Sequence, residues 1–238
     1  MLYGRVVFCL VAFLHIAFMT GCVSTSTKKV SPSEVATANV NLAAEYFRLG
    51  RMEDALRSAK KAVNADSDSA SANSLLALIY QQLEESSLAD EYFAKAVDVV
   101  AHDSSEYGMI HNNYGVFLCQ KGMLLDAEEH FLLAAKNKMY RTPESAFENA
   151  GLCAIKANKV KLAEEYFGKS LALAPNMSRS LVELAKIYYR AEKYQLAREY
   201  IQRYLASHTG DAGILFFAQE IEQKLESQND AKRLKSEP

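Results

Sequence analysis

The chain has no tryptophan, and its 238 residues include only 4 prolines, 10 glycines and 4 cysteines. So few helix breakers leave long uninterrupted stretches, and 50 % of the residues are hydrophobic, many of them Ala and Leu. Helices are therefore expected throughout. An excess of positive charge is also missing. Lys and Arg number 27 against 29 Asp and Glu, for a net charge of −2, and the basic residues are scattered along the chain. That balance gives no support to a nucleic-acid partner. Long apolar runs are missing too, with one exception. Val6 to Met19 is apolar apart from His15, about 14 residues, where a membrane-spanning helix needs roughly 20. Arg5 precedes the run and Thr20-Gly21 follows it, which is the arrangement of a secretory signal peptide over residues 1–21.

No catalytic constellation stands out. His102, His111, His130 and His208 fall in loops or on separate helices without metal-ligand spacing. Paired acids such as Glu84-Glu85, Glu128-Glu129 and Glu164-Glu165 read as solvated helix faces. The expectation is a protein that is not an enzyme, with no cofactor, metal or small-molecule substrate.

What is present is a repeat. Ala, an aromatic four residues on and a small residue three beyond recur as Ala89/Phe93/Ala96, Ala127/Phe131/Ala134 and Ala163/Phe167/Ser170. Ala197/Ile201/Tyr204 drifts from the pattern, and Ala55/Ala59/Ala62 lacks the aromatic. Anchoring alanines at 55, 89, 127, 163, 197 and 231 give spacings of 34, 38, 36, 34 and 34. Upstream lie Leu42-Ala43/Tyr46, Leu76-Ala77/Tyr80, Tyr114-Gly115/Leu118, Ala150-Gly151/Ala154 and Leu184-Ala185/Tyr188, each followed by a turn. Small residues let two helices approach, and large ones fill the space between them.

This pattern resembles the tetratricopeptide repeat (TPR), a helical hairpin of 34 residues. The resemblance implies an all-α TPR superhelix over residues 36–238. Five full repeats are expected at about 36–69, 70–103, 108–141, 144–177 and 178–211, with a partial sixth over 212–238 whose single helix ends near Glu226. The consensus Trp is absent, and of the terminal prolines only Pro175 remains. The longer spacings arise from HDSSEYG and NKMYRTPES, which a plain consensus array would not contain.

Two further resemblances bear on function. Met19-Thr20-Gly21-Cys22 resembles the bacterial lipobox, in which the cysteine is acylated and the peptide is cut before it. It implies a lipid on Cys22, and two or more acyl chains anchor a protein stably. Val23 in place of Asp implies the outer membrane of a Gram-negative bacterium by the lipoprotein sorting rule. Residues 22–35 then read as a polar tether.

In a TPR array the first helix of each repeat lines a concave face that binds other proteins. The positions on that face include Val40, Asn41, Ala44, Phe47, Asn112, Asn113, Glu148 and Asn149, and these are the partner-binding candidates. Some of the asparagines serve equally well as bridges between neighbouring helices. A lipobox and tether before about six TPRs, with NNYGVFLCQKG opening the third and FENAGLCAIKA the fourth, is similar to the PilF/PilW family of type IV pilus biogenesis lipoproteins. The resemblance implies an outer-membrane pilotin that binds subunits of the secretin and promotes their localisation and multimerisation. From the helix positions alone, the contact is expected in the first repeats, nearest the anchor, at Val40, Ala44 and Phe47. The alternative is a periplasm-facing TPR scaffold for another envelope assembly machine.

Of the four cysteines, Cys9 belongs to the signal and Cys22 to the lipid, which leaves Cys119 and Cys153. In the TPR frame they sit on neighbouring first helices at similar heights, within reach of a disulfide. An oxidising periplasm makes a bridge the expected state, with two buried free thiols as the alternative. A redox pair would instead be spaced C-x-x-C.

Overall fold

The computed structural model describes residues 31–236. Within them the chain forms eleven α-helices: α1 (Pro32–Arg48), α2 (Met52–Ala65), α3 (Ala70–Gln82), α4 (Ser86–Val99), α5 (Tyr107–Gln120), α6 (Leu124–Lys136), α7 (Pro143–Lys156), α8 (Val160–Leu173), α9 (Ser178–Arg190), α10 (Tyr194–Ser207) and α11 (Ala212–Ser236). No strand occurs among the described residues. Helices α1 to α10 pack as five consecutive hairpins, and each second helix also packs on the first helix of the next hairpin. The first helices α1, α3, α5, α7 and α9 touch one another in turn. Closer approach on that side curves the array, with the first helices lining its inner surface. The architecture is a TPR superhelix.

The repeat signature is the core. Ala55, Ala89, Ala127, Ala163 and Ala197 are fully buried, as are Phe93 and Phe167, with Phe131 and Ile201 at 1 % exposure. Each buried Phe contributes about 2–3 kcal/mol of hydrophobic stabilisation. Opposite the rings, the small residues decide how closely the hairpin can close. A Cβ on Gly115 would lie 2.8 Å from the Phe131 ring, and one on Gly151 2.7 Å from Phe167. Leu42, by contrast, is 45 % exposed, since α1 is the first helix among the described residues and no earlier hairpin there covers it.

All five hairpin turns share one device. Gly50, Glu84, Gly122, Asn158 and Glu192 have positive φ, between 56° and 80°. At each turn the amide of this residue bonds the carbonyl three back and the next amide bonds the carbonyl five back, as in Arg51 N to Tyr46 O at 2.9 Å. This is the Schellman motif, which satisfies the orphan carbonyls at a helix end. Three of the five positions carry a side chain there. For an L-residue the left-handed conformation costs about 1–2 kcal/mol relative to the right-handed one, so tertiary packing must hold those turns.

Three sequence assignments require correction or delimitation. The tether expected over residues 22–35 cannot extend past Ser31. Ser31 caps α1 through Glu34 N, and the Glu34 carboxylate accepts from Ser31 N at 2.8 Å, a reciprocal capping box followed by Pro32 in the first turn. Residues 32–35 are therefore helix. The signal peptide of residues 1–21, the lipid site Cys22 and tether residues 22–30 lie outside the described residues. At the other end, α11 does not stop near Glu226 but continues to Ser236. The sequence over 227–236, SQNDAKRLKS, contains only Ala231 and Leu234 as apolar residues. A turn at Glu226 would carry left-handed strain with almost no apolar face to offset it, so the helix continues.

Candidate functional site

The first helices of repeats three to five build an open depression of about 460 Å³ on the inner face. Its apolar lining comes from Val116 on α5 and Leu152 and Ile155 on α7, with Cys119 and Cys153 between them. Those two cysteines form a disulfide, with their Cα atoms 5.8 Å apart. They are 8 % and 3 % exposed, so the bridge is part of the floor rather than a reactive surface group. Gln120, Asn149, Lys156, Arg179 and Glu183 supply the polar wall.

Most of that wall is already paired within the fold. Asn149 Nδ2 donates to Asn112 Oδ1 at 2.9 Å, joining α7 to α5. Gln81 donates to Gln120 at 2.7 Å, joining α3 to α5. Glu183 accepts from Lys186 at 2.8 Å. The Glu148 carboxylate accepts from Ser180 N at 3.0 Å and Ser180 Oγ at 2.8 Å, so α7 satisfies an orphan amide at the start of α9. Lys156 and Arg179 have no such partner among the described residues.

Outside the depression, carboxylates on second helices accept tyrosine hydroxyls from the following repeat. Tyr114 donates to Asp90 at 2.9 Å, Tyr166 to Glu128 and Tyr188 to Glu164. Burial first, and then the neighbouring carboxylate, pushes the Tyr114 phenol up to about 12. The same causes raise Tyr166 and Tyr188 further. These phenols stay protonated donors, and each charge-assisted bond ties two repeats together. In repeat three His111 Nδ1 and His130 Nδ1 are 2.7 Å apart, which requires a neutral ring to accept the proton. Burial, followed by His130 and His102, lowers His111 to about 4. No group of three or more His, Cys, Asp or Glu among the described residues is placed to hold a metal ion.

Tetratricopeptide-repeat family models match residues 149–212 and residues 36–69 and 70–99. The type IV pilus assembly protein PilF of Pseudomonas aeruginosa is 33 % identical over 193 residues, covering 79 % of this chain and 75 % of its own length. The chain belongs to the PilF/PilW family. The solved structure of Pseudomonas aeruginosa PilF superposes with a TM-score of 0.74 at 30 % identity, over 85 % of this chain and 89 % of that one. PilW, a widely conserved type IV pilus biogenesis factor, superposes at 0.71 with 30 % identity, over 84 % and 90 %. This chain is thus a TPR protein of type IV pilus biogenesis, and its work is protein–protein interaction. Among the described residues no helix is long and apolar enough to cross a membrane.

The segments that resemble PilF/PilW, NNYGVFLCQKG and FENAGLCAIKA, turn out to share one structural task. Asn112 and Asn149 bond each other, Gly115 and Gly151 admit the Phe rings, and Cys119 and Cys153 join the two helices. Glu148 reaches repeat five. Four partner-binding candidates are placed accordingly: Asn112, Glu148 and Asn149 spend hydrogen bonds between repeats, while Asn113 is half-buried on α5. On α1, Asn41 and Ala44 are exposed, whereas Val40 and Phe47 are half-buried, Phe47 against the main core. Sequence reasoning missed Val116, Leu152, Ile155, Lys156 and Arg179. Val116 and Leu152 occupy the helix position of Ala44, and Ile155 that of Phe47, further along the array. Lys156 and Arg179 lie towards the two ends of the same face on their own helices, so the helical register alone would have found all five. Glu128 and Glu164 read in the sequence as merely solvated, since no local pattern reveals a tyrosine 38 or 24 residues away.

Proposed function

We propose that this protein is a lipid-anchored outer-membrane pilotin that binds secretin subunits on its inner face and promotes their localisation and multimerisation. One observation carries the reading. In a member of the PilF/PilW family, the inner face keeps an open apolar depression flanked by Lys156 and Arg179, which are unpaired among the described residues. Acylation of Cys22 would hold the array at the membrane where the secretin assembles. Confining both partners to one surface raises their effective concentration with no new contact. The reading predicts that deleting the gene abolishes surface pili and SDS-resistant secretin oligomers together. A Cys22→Ala variant should produce folded protein but leave secretin multimers scarce or in the wrong membrane. Normal oligomers in the deletion strain would refute the secretin role.

A further inference from the structure

Lys156, the last residue of α7, and Arg179, in the first turn of α9, line opposite ends of the depression, with Val116, Leu152 and Ile155 also in its lining. Both cations are exposed, and neither has an ion pair, hydrogen bond or ring partner among the described residues. Glu183 and Glu148, on the same two helices, already have partners within the fold. Glu183 is 2.8 Å from Lys186, and Glu148 accepts two hydrogen bonds from Ser180. Arg179 is also placed against local electrostatics. It lies in the first turn of α9, which begins at Ser178, where the helix dipole disfavours a cation.

We infer that the occupant of this depression is an acidic peptide segment: an apolar side chain seated on Val116, Leu152 and Ile155, with acidic residues on either side of it pairing with Arg179 at one end and Lys156 at the other. The fork of the arginine donates two parallel hydrogen bonds to a carboxylate, and the lysine adds a point charge. This inference rests on the inner face being the binding face. The floor of the depression lies in repeats three to five, where the disulfide and the Asn112–Asn149 bond join α5 to α7. A rigid floor lowers the ordering cost of binding.

The test is selection from a random twelve-residue phage-displayed library on the full chain in detergent, repeated with a Lys156→Glu/Arg179→Glu variant whose helical circular dichroism matches the wild type. Expected is enrichment of sequences with Asp or Glu beside Leu, Ile or Phe. The best peptide, synthesised and labelled, should bind at least tenfold more weakly to the variant and weaken severalfold between 0.1 and 0.5 M NaCl. A Glu91→Lys/Lys95→Glu variant on α4, away from the inner face, should bind it normally. Selected sequences without acidic excess, no selection at all, or equal binding by the variant would overturn the inference. So would binding of phosphatidylglycerol vesicles that depends on the two cations while no peptide is selected. The secretin reading is scored separately, by secretin oligomers in cells carrying the variant. Acidic peptides that need both cations, together with normal oligomers in the deletion strain, would sustain the groove chemistry and remove the secretin.

Discussion

Severing the Cys119–Cys153 bridge should weaken the array at one junction more than elsewhere. The bridge closes a segment with a sequence separation of 34, for which loss of unfolded-chain entropy amounts to about 4 kcal/mol, and measured effects commonly fall nearer 2–3. Replacing both cysteines with alanine leaves no buried hydroxyl unsatisfied, although it thins the floor under Leu152 and Ile155. The double variant should therefore lose about 2–4 kcal/mol in urea unfolding followed by far-UV circular dichroism. Either single variant should lose nearly as much as the double, because one remaining thiol closes no loop. Because each TPR contacts only its neighbours, the effect should be local. Amide exchange is expected to accelerate in α5 and α7 before α1 and α2. Wild-type protein under reductant should coincide with the double variant. A change below about 0.5 kcal/mol, or exchange rising uniformly along the array, would show that packing and the Asn112–Asn149 bond hold the junction without the covalent link.

Unfolding returns His111 to its ordinary 6.5 from about 4, so between those values the unfolded chain binds the extra proton and stability falls as pH falls. The full separation corresponds to about 3 kcal/mol, reduced to about 1–2 by water around half-buried His130, and urea midpoints from pH 7 to 4 in wild type and His111→Gln should show it. Glu84→Gly and Glu192→Gly should each stabilise by about 0.5–1 kcal/mol, since relief of left-handed strain exceeds the added unfolded entropy, read as a higher Tm. Gly115→Ala should cost about 1–2 kcal/mol in the same melt, because its methyl meets the Phe131 ring and outweighs the gain in helix propensity.

Much of this architecture is legible in local order. The alanine–aromatic–small triplet names the buried face of every second helix, since burial in a hairpin depends on side-chain size at helical spacing. Phe93, Phe131 and Phe167 are core for that reason. The capping box at Ser31 and Glu34 is equally local, yet the polar run around it reads as a tether. The reach of α11 is harder to see. Glu84 and Glu192 take a left-handed turn and Glu226 does not. Helices α4 and α10, after the first two, bury Phe93 and Ile201, whereas residues 227–236 bring almost no apolar surface to a second helix.

By itself, then, the sequence determined the repeat, its period and the inner-face register, because each depends on spacing within a single hairpin. Tertiary structure decided which inner-face residues are spent. Asn112, Asn149 and Glu148 look like ligand contacts in the register, yet their partners lie 32 to 37 residues away on a neighbouring first helix. The same stacking gathers Val116, Leu152, Ile155, Lys156 and Arg179 from three helices into one depression. A solenoid builds its surface from residues one repeat apart, so pairing and vacancy on that surface depend on how successive repeats meet.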